Sequence, residues 1–405
     1  MRVSRFASRA ALGATAAMLL ACSEQPNVAA PTNATVAPPR ALAELEQEPS
    51  DVTGRGRHIF RHWTFGDEPF WTDALHLNQV VESAVSPATA LAVGLKVDAT
   101  RLPAGFLASA DLTSPATTVE LLRRDAVVGI EANVSTDRHI MSLGITCALC
   151  HSTVDNSVAP GIGRRLDGLP NRDLNVGAIV ALSPALPAAV KAVYNSWGPG
   201  KYDAEFNRDG INSPVVLPPA LGLKGVALET YTAEGPVSYW NAYVAVTQMH
   251  GHGSFSDPAL GIAIRQTPDL VTPVLPALRA YQLSLATPPP PAGSFNPEAA
   301  ARGKALFSGA ARCASCHIPS MAFTDVNLGV LHDPSEVGTD PTRASRLKNH
   351  KYRTTPLRAL WQHPPYFHDG SAATLADVVA HYNRVFSLGL SAAQQADLVE
   401  YLKTL

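Results

Sequence analysis

Two copies of one five-residue pattern constrain this chain more than anything else in it. They are Cys147-Ala148-Leu149-Cys150-His151 and Cys313-Ala314-Ser315-Cys316-His317. In C-x-x-C-H the two thiols add across the vinyl groups of a haem, and the adjacent imidazole becomes an axial ligand of the iron. Of the five cysteines only Cys22 lies outside the pattern. The other readings of this spacing are a redox dithiol and half of a zinc site. Zinc requires further Cys or His nearby, yet after His151 the next histidine is His250. A redox dithiol usually sits in a βαβ context, and neither copy has one. The pattern predicts two covalent haem c groups per chain.

Cys22 fits export. Arg2, Arg5 and Arg9 precede an apolar run from Ala10 to Ala21. The run is too short for a membrane span of about 20 residues and has the order of a signal peptide. It ends Leu19-Leu20-Ala21-Cys22, which resembles a bacterial lipobox. That resemblance implies cleavage after residue 21 and a diacylglycerol on the Cys22 thiol. The alternative is an ordinary signal peptide cut near Ala30, with Cys22 discarded. Ser23, not Asp, follows the lipidated position, which points to the outer membrane. Residues 22–50, with Pro26, Pro31, Pro38 and Pro39, read as a tether. The expected location is the periplasm, with a lipid anchor in the outer membrane.

A composition of 46% hydrophobic and 16% charged residues is that of a globular chain. Removing residues 1–21 takes three arginines and no acid, so the formal net charge moves from −2 to −5. That argues against nucleic acid as a partner. The run Pro288–Pro291 falls between the two motifs. It suggests a boundary between an N-terminal haem domain, 51–287, and a C-terminal cytochrome c domain, 292–405. The stretch from Pro297 to Phe307 reads as a helix with Pro in its first turn, and it leads into Cys313. A weaker echo, Gly56-Arg57-His58-Ile59-Phe60, is separated from its own motif by a long insertion, Arg61 to Thr146. Regular strand alternation is hard to find. The expected fold is mainly α: two cytochrome c-like domains of short helices joined by Pro/Gly-rich loops.

Thr355-Pro356-Leu357-Arg358-Ala359-Leu360 is followed by Pro365-Tyr366-Phe367-His368-Asp369-Gly370-Ser371, then Thr374-Leu375, and the chain closes with Gln395 to Leu405. Over residues 297–405 this resembles the C-terminal haem domain of the bacterial dihaem cytochrome c peroxidases and the related MauG enzymes. Over 51–290 only the haem motif matches. The resemblance implies two all-α haem domains, one haem reacting with peroxide or oxygen and the other passing electrons. A bridging calcium also belongs to the peroxidase pattern, but no ligand motif for it can be matched. In the peroxidases a Met on the helix after His-Asp-Gly takes the sixth position of the second haem, and in MauG a Tyr does so. The matching position is Tyr382. Leu375, Val378, Val379 and Tyr382 share one helix face, whereas His381 lies about 100° round it. His381 and Met321 remain the alternatives.

The peroxidases can also cap the first haem with a second His shortly after the motif. Here there is none from Ser152 to Met249, which suggests an open first iron. The cluster Trp240 to His252 is then the source of distal groups. His250 or His252 is the expected proton shuttle, with Gln248 and Glu234 as weaker candidates and Trp240 as an electron relay between the haems. The remaining histidines, among them His58, His62, His76, His139, His332, His350 and His363, read as structural. These readings converge on an oxidoreductase that uses hydrogen peroxide or another small substrate with a small periplasmic electron donor or acceptor. Two alternatives stand: an electron-transfer cytochrome without a substrate, and a dioxygenase resembling the rubber oxygenases.

Overall fold

The fold is framed by one helix crossing made twice. The structure is a computed structural model that describes residues 51–405, so Cys22 and the whole of the expected leader and tether lie outside the described residues. Helix α1 (Val52–His62) begins where Asp51 Oδ1 accepts the Gly54 amide at 2.6 Å, and it buries Gly56, Ile59 and Phe60. It crosses α2 (Leu275–Ser284) so closely that a Cβ on Gly56 would stand 2.0 Å from the Ala277 carbonyl oxygen and 2.7 Å from Tyr281 Cβ. Phe60 meets Tyr281 edge-on at 5.5 Å.

The C-terminal part repeats this arrangement. Helix α3 (Pro297–Ser308) is capped by the Asn296 side chain. Helix α4 (Leu375–Val385) and helix α5 (Ala392–Leu402) each open with a capping box, Thr374 with Asp377 and Ser391 with Gln394. Helix α3 crosses α5, where a Cβ on Gly303 would stand 2.0 Å from the Asp397 carbonyl oxygen and 2.9 Å from Tyr401 Cβ. Phe307 meets Tyr401 edge-on at 5.2 Å. Gly, Phe and Tyr therefore occupy the same places in both crossings. Glycine is required because the backbones touch.

Between α1 and the first motif the chain builds a second hydrophobic cluster that includes Trp71, Leu77, Val119, Leu122, Ile140 and Leu143. It contains a hairpin, β1 (Ile130–Val134) with β2 (Ile140–Ile145). The insertion is therefore not purely helical. A register shift between Asn133 and Val134 interrupts the alternation by which a strand is read from sequence.

Residues 51–405 pack as a single unit, so contacts run across the Pro288–Pro291 segment. Several join the regions carrying the two motifs. The Val216 amide donates to His368 O at 2.7 Å, and Lys201 Nζ donates to Asp369 O at 2.9 Å. Arg343, 1% exposed, reaches Glu205 at 2.7 Å. No described helix is long and apolar enough to cross a membrane.

Candidate functional site

Strand β2 delivers the first motif. The Thr146 amide donates to Gly129 O at 3.0 Å and its hydroxyl to Arg61 O at 3.1 Å. The motif then closes into one helical turn, Ala148–His151. Gly129 has φ +79, and a Cβ there would stand 2.1 Å from the Leu149 nitrogen, so the hairpin entry rests directly on the motif backbone. The second motif follows α3 as a 3-10 turn, Cys313–Ser315.

None of the four motif cysteines is paired in a disulfide. Desolvation pushes Cys147 and Cys150 up to about 12 and Cys313 up to about 11. Each motif histidine is fixed the same way. His151 Nδ1 lies 3.0 Å from Pro218 O, and His317 Nδ1 lies 3.2 Å from Phe323 O. A carbonyl only accepts, so Nδ1 carries the proton and Nε2 keeps a lone pair. Backbone anchoring of this kind orients a metal-ligating imidazole and raises its basicity. Burial lowers the affinity of both rings for a second proton, His151 to about 4. Two thiols beside an imidazole with a free lone pair are the donor set of haem c, and the set is present twice.

His151 and His317 line the same cavity, of about 620 Å³. Its wall is largely apolar, with Leu221, Leu223, Leu360 and Val379 among its members. Tyr382 faces it from α4, against Phe386 and Phe367. Desolvation, with the Cys316 and Cys313 thiols adding to it, pushes the Tyr382 hydroxyl up to about 12. This places the phenol on the His317 side. His381, one residue earlier, is turned away, with Nε2 2.9 Å from Val337 O. Neither His381 nor Met321 is on the cavity wall.

The four expected distal groups are not on that wall either. The helix Val237–Thr247 ends in a reversal in which the Gly251 amide donates to Ala245 O at 2.7 Å and His250 takes φ 61. This turns His250 onto the Phe70 ring, stacked at 3.6 Å. His252 is held by its backbone to Phe65 O and Leu270 N. Gln248 Nε2 donates to Ala204 O at 2.7 Å, and Glu234 Oε1 accepts the Lys348 amide at 3.4 Å. Trp240, by contrast, lines the cavity.

Other polar groups face the cavity. Asn241 and Gln282 form a buried amide pair, Asn241 Nδ2 donating to Gln282 Oε1 at 2.7 Å. His363, read from sequence as structural, is a buried cavity residue lowered to about 4, by burial first and then by the nearby Arg172 charge. His332 also lines the cavity, between Asp325 and Glu336. Arg172, Arg353 and Arg358 line it as well. Apart from Arg358, which lies in the Thr355–Leu360 segment, no local pattern marks these residues in the sequence. Their common position follows from packing between segments remote in the chain.

The model of the cytochrome c family matches residues 300–405. The methylamine utilization protein MauG of Methylorubrum extorquens is 31% identical over 121 residues, 26% of this chain and 34% of that protein. The cytochrome-c peroxidase IdrP1 of Denitromonas iodatirespirans is 31% identical over 150 residues, covering 26% of this chain and 40% of its own length. The matches therefore span well under half the length of these relatives. A solved hydrazine synthase of Kuenenia stuttgartiensis aligns over 48% of this chain and 73% of its own, at 20% identity and a TM-score of 0.33. That likeness is too slight to build on.

Proposed function

We propose that this chain, a relative of MauG and of the dihaem cytochrome c peroxidases, is an exported oxidoreductase with two haem c groups. The first, on Cys147, Cys150 and His151, would meet hydrogen peroxide or dioxygen. The second, on Cys313, Cys316 and His317, would pass electrons. One observation carries this reading: both motif imidazoles open onto one cavity, and a phenol stands ready on the His317 side. When bound, haem c supplies an iron that exchanges single electrons and, where its sixth position is open, takes a small ligand.

The protein's part is positional. Pro218 O and Phe323 O hold the two imidazoles in the tautomer that presents Nε2. The Tyr382 oxygen, a hard ligand once its proton leaves, would favour the oxidised state of a haem held at the second site. The Asn241–Gln282 pair offers neutral hydrogen-bonding groups that can orient a small oxygen species without changing the charge of the cavity. Trp240 is a poor cationic relay, because the Arg343 guanidinium lies 5.7 Å from its ring and would repel a positive charge there. Direct passage between groups sharing the cavity is the simpler route. Export, lipidation at Cys22, an outer-membrane location and a small periplasmic donor or acceptor complete the proposal from sequence.

Mass spectrometry of the mature protein should show two haem additions, and carbon monoxide should bind the reduced protein at one per two haems. Fewer than two additions sinks the reading. One observation favours the electron-transfer alternative: the cavity-facing imidazole of His363 could close the first site. A carbon monoxide stoichiometry of zero, restored to one in His363→Ala, would establish that alternative.

Tyr382→Phe removes only the ligand oxygen. It should convert the second haem's resting absorption and paramagnetic spectra from six-coordinate to a different coordination, while His381→Ala leaves them in place. The reverse pattern would transfer the role to His381.

A further inference from the structure

Four arginines line the cavity, Arg172, Arg312, Arg353 and Arg358, and among the described residues none is paired with a carboxylate. Arg312 is exposed and donates to Phe386 O at 3.4 Å. Arg353 donates to the carbonyls of Thr230, Glu229 and Thr354. Arg358 donates to those of Gly222 and Lys224. Arg172 is left least satisfied. Its Nη2 donates to His363 O at 3.1 Å, while Nε and Nη1 are buried without any partner. A cation removed from water without an anion is costly, so this group is arranged for an anion the protein itself does not supply.

Its position identifies the anion. The loop bearing Arg172 is tied to the first motif, since the Asn171 amide donates to Cys150 O at 2.9 Å. Arg172 is also near enough for its charge to act on His151. A haem held by Cys147, Cys150 and His151, the last of which lines this cavity, would carry two propionates in need of cationic partners. Guanidinium pairs with carboxylate through short, charge-assisted hydrogen bonds.

We propose that Arg172 is the propionate-binding residue of the first haem site, its free Nε and Nη1 donating to a haem carboxylate. The fit is completed across the two halves of the chain. His363, from the segment leading to Tyr366-Phe367-His368, holds the third nitrogen of the same guanidinium, so the His317-bearing part helps aim the anchor of the His151 haem. This assignment rests on the reading that the first motif holds haem.

The test uses the full-length holoprotein. Mass spectrometry first counts haems in wild type, Arg172→Gln and Arg172→Lys. The midpoint potential of the first haem is then measured against pH. Loss of the positive charge should lower the potential in Arg172→Gln. The potential of that variant should also become pH-dependent over the range in which a freed carboxylic acid takes up a proton, whereas the wild type stays flat. Arg172→Lys should retain most of the wild-type potential. Both haems present with an unmoved potential and an unchanged pH profile would overturn the assignment and leave the functional reading standing. A wild type lacking haem at the first motif would overturn both. Should Arg172→Gln not accumulate, resonance Raman of the wild type decides: a propionate bending band insensitive to deuterium exchange would refute the contact.

Discussion

Gly303→Ala is expected to destabilise the C-terminal part by about 3 kcal/mol, the upper end of the usual overpacking range, and Gly56→Ala to do the same to the N-terminal part. In each case the new methyl would overlap a carbonyl oxygen of the crossing helix at 2.0 Å. The obstacle is backbone, so no side chain can swing aside. The helices must separate, which also loosens Phe307 against Tyr401 or Phe60 against Tyr281. Denaturant unfolding followed through the haem absorption and through backbone circular dichroism checks this. Midpoints within error of wild type for both variants would mean that the two crossings are not in backbone contact.

These crossings also mark how much of the fold the sequence exposes. The Gly56–Phe60 echo of Gly303–Phe307 is visible because both stretches are short and local. The partner pairs, Ala277 with Tyr281 and Asp397 with Tyr401, are not visible, because nothing in the Leu275–Ser284 segment says which helix it will meet. Helix α4 is legible to within a residue or so, since Thr374 and Asp377 announce its start and the spacing of Leu375, Val379 and Tyr382 gives its face. The distal groups are misread for a physical reason. His250 and His252 lie a few residues beyond Trp240, which does face the cavity, but the chain reverses at His250 and Gly251 and sends both imidazoles elsewhere. The cavity arginines and His363 arise from long-range packing and leave no periodic trace.

Arg343→Leu is expected to cost about 3–5 kcal/mol, the usual result of removing one partner from a buried ion pair. Arg343 projects from the short helix Thr342–Ser345 to Glu205, whose other oxygen accepts from the Tyr243 hydroxyl at 2.7 Å and from Arg208 at 2.8 Å. Its neighbour Arg346 pairs with Asp203 at 3.1 Å. Together they fasten the His317-bearing part to the loop after Tyr202. The double variant Arg343→Leu with Glu205→Leu should recover most of the loss, because no buried charge is then left unpaired. Thermal unfolding of the wild type, both single variants and the double variant gives the coupling. A double variant no more stable than Arg343→Leu would show that packing of the guanidinium on Trp240, and not the ion pair, is what matters.

The two crossings also set an order of events for a chain that is made from its N-terminus. The first ties Gly56 to Ala277 and the second ties Gly303 to Asp397. The entropy of closing a loop grows only with the logarithm of its length, by about 0.6 kcal/mol per doubling. The longer first loop, insertion included, therefore burdens the finished protein by roughly 1 kcal/mol or less relative to the second. Speed responds differently, because contacts between distant residues form late. Gly56 emerges early and must wait for its partner, with Cys147 and Cys150 uncovered in the interval. Gly303 and Asp397 are fewer residues apart than Gly56 and Ala277, so they can join after a shorter interval. The half of the protein made last is thus expected to close first, while Cys147 and Cys150 in the other half stay uncovered longest.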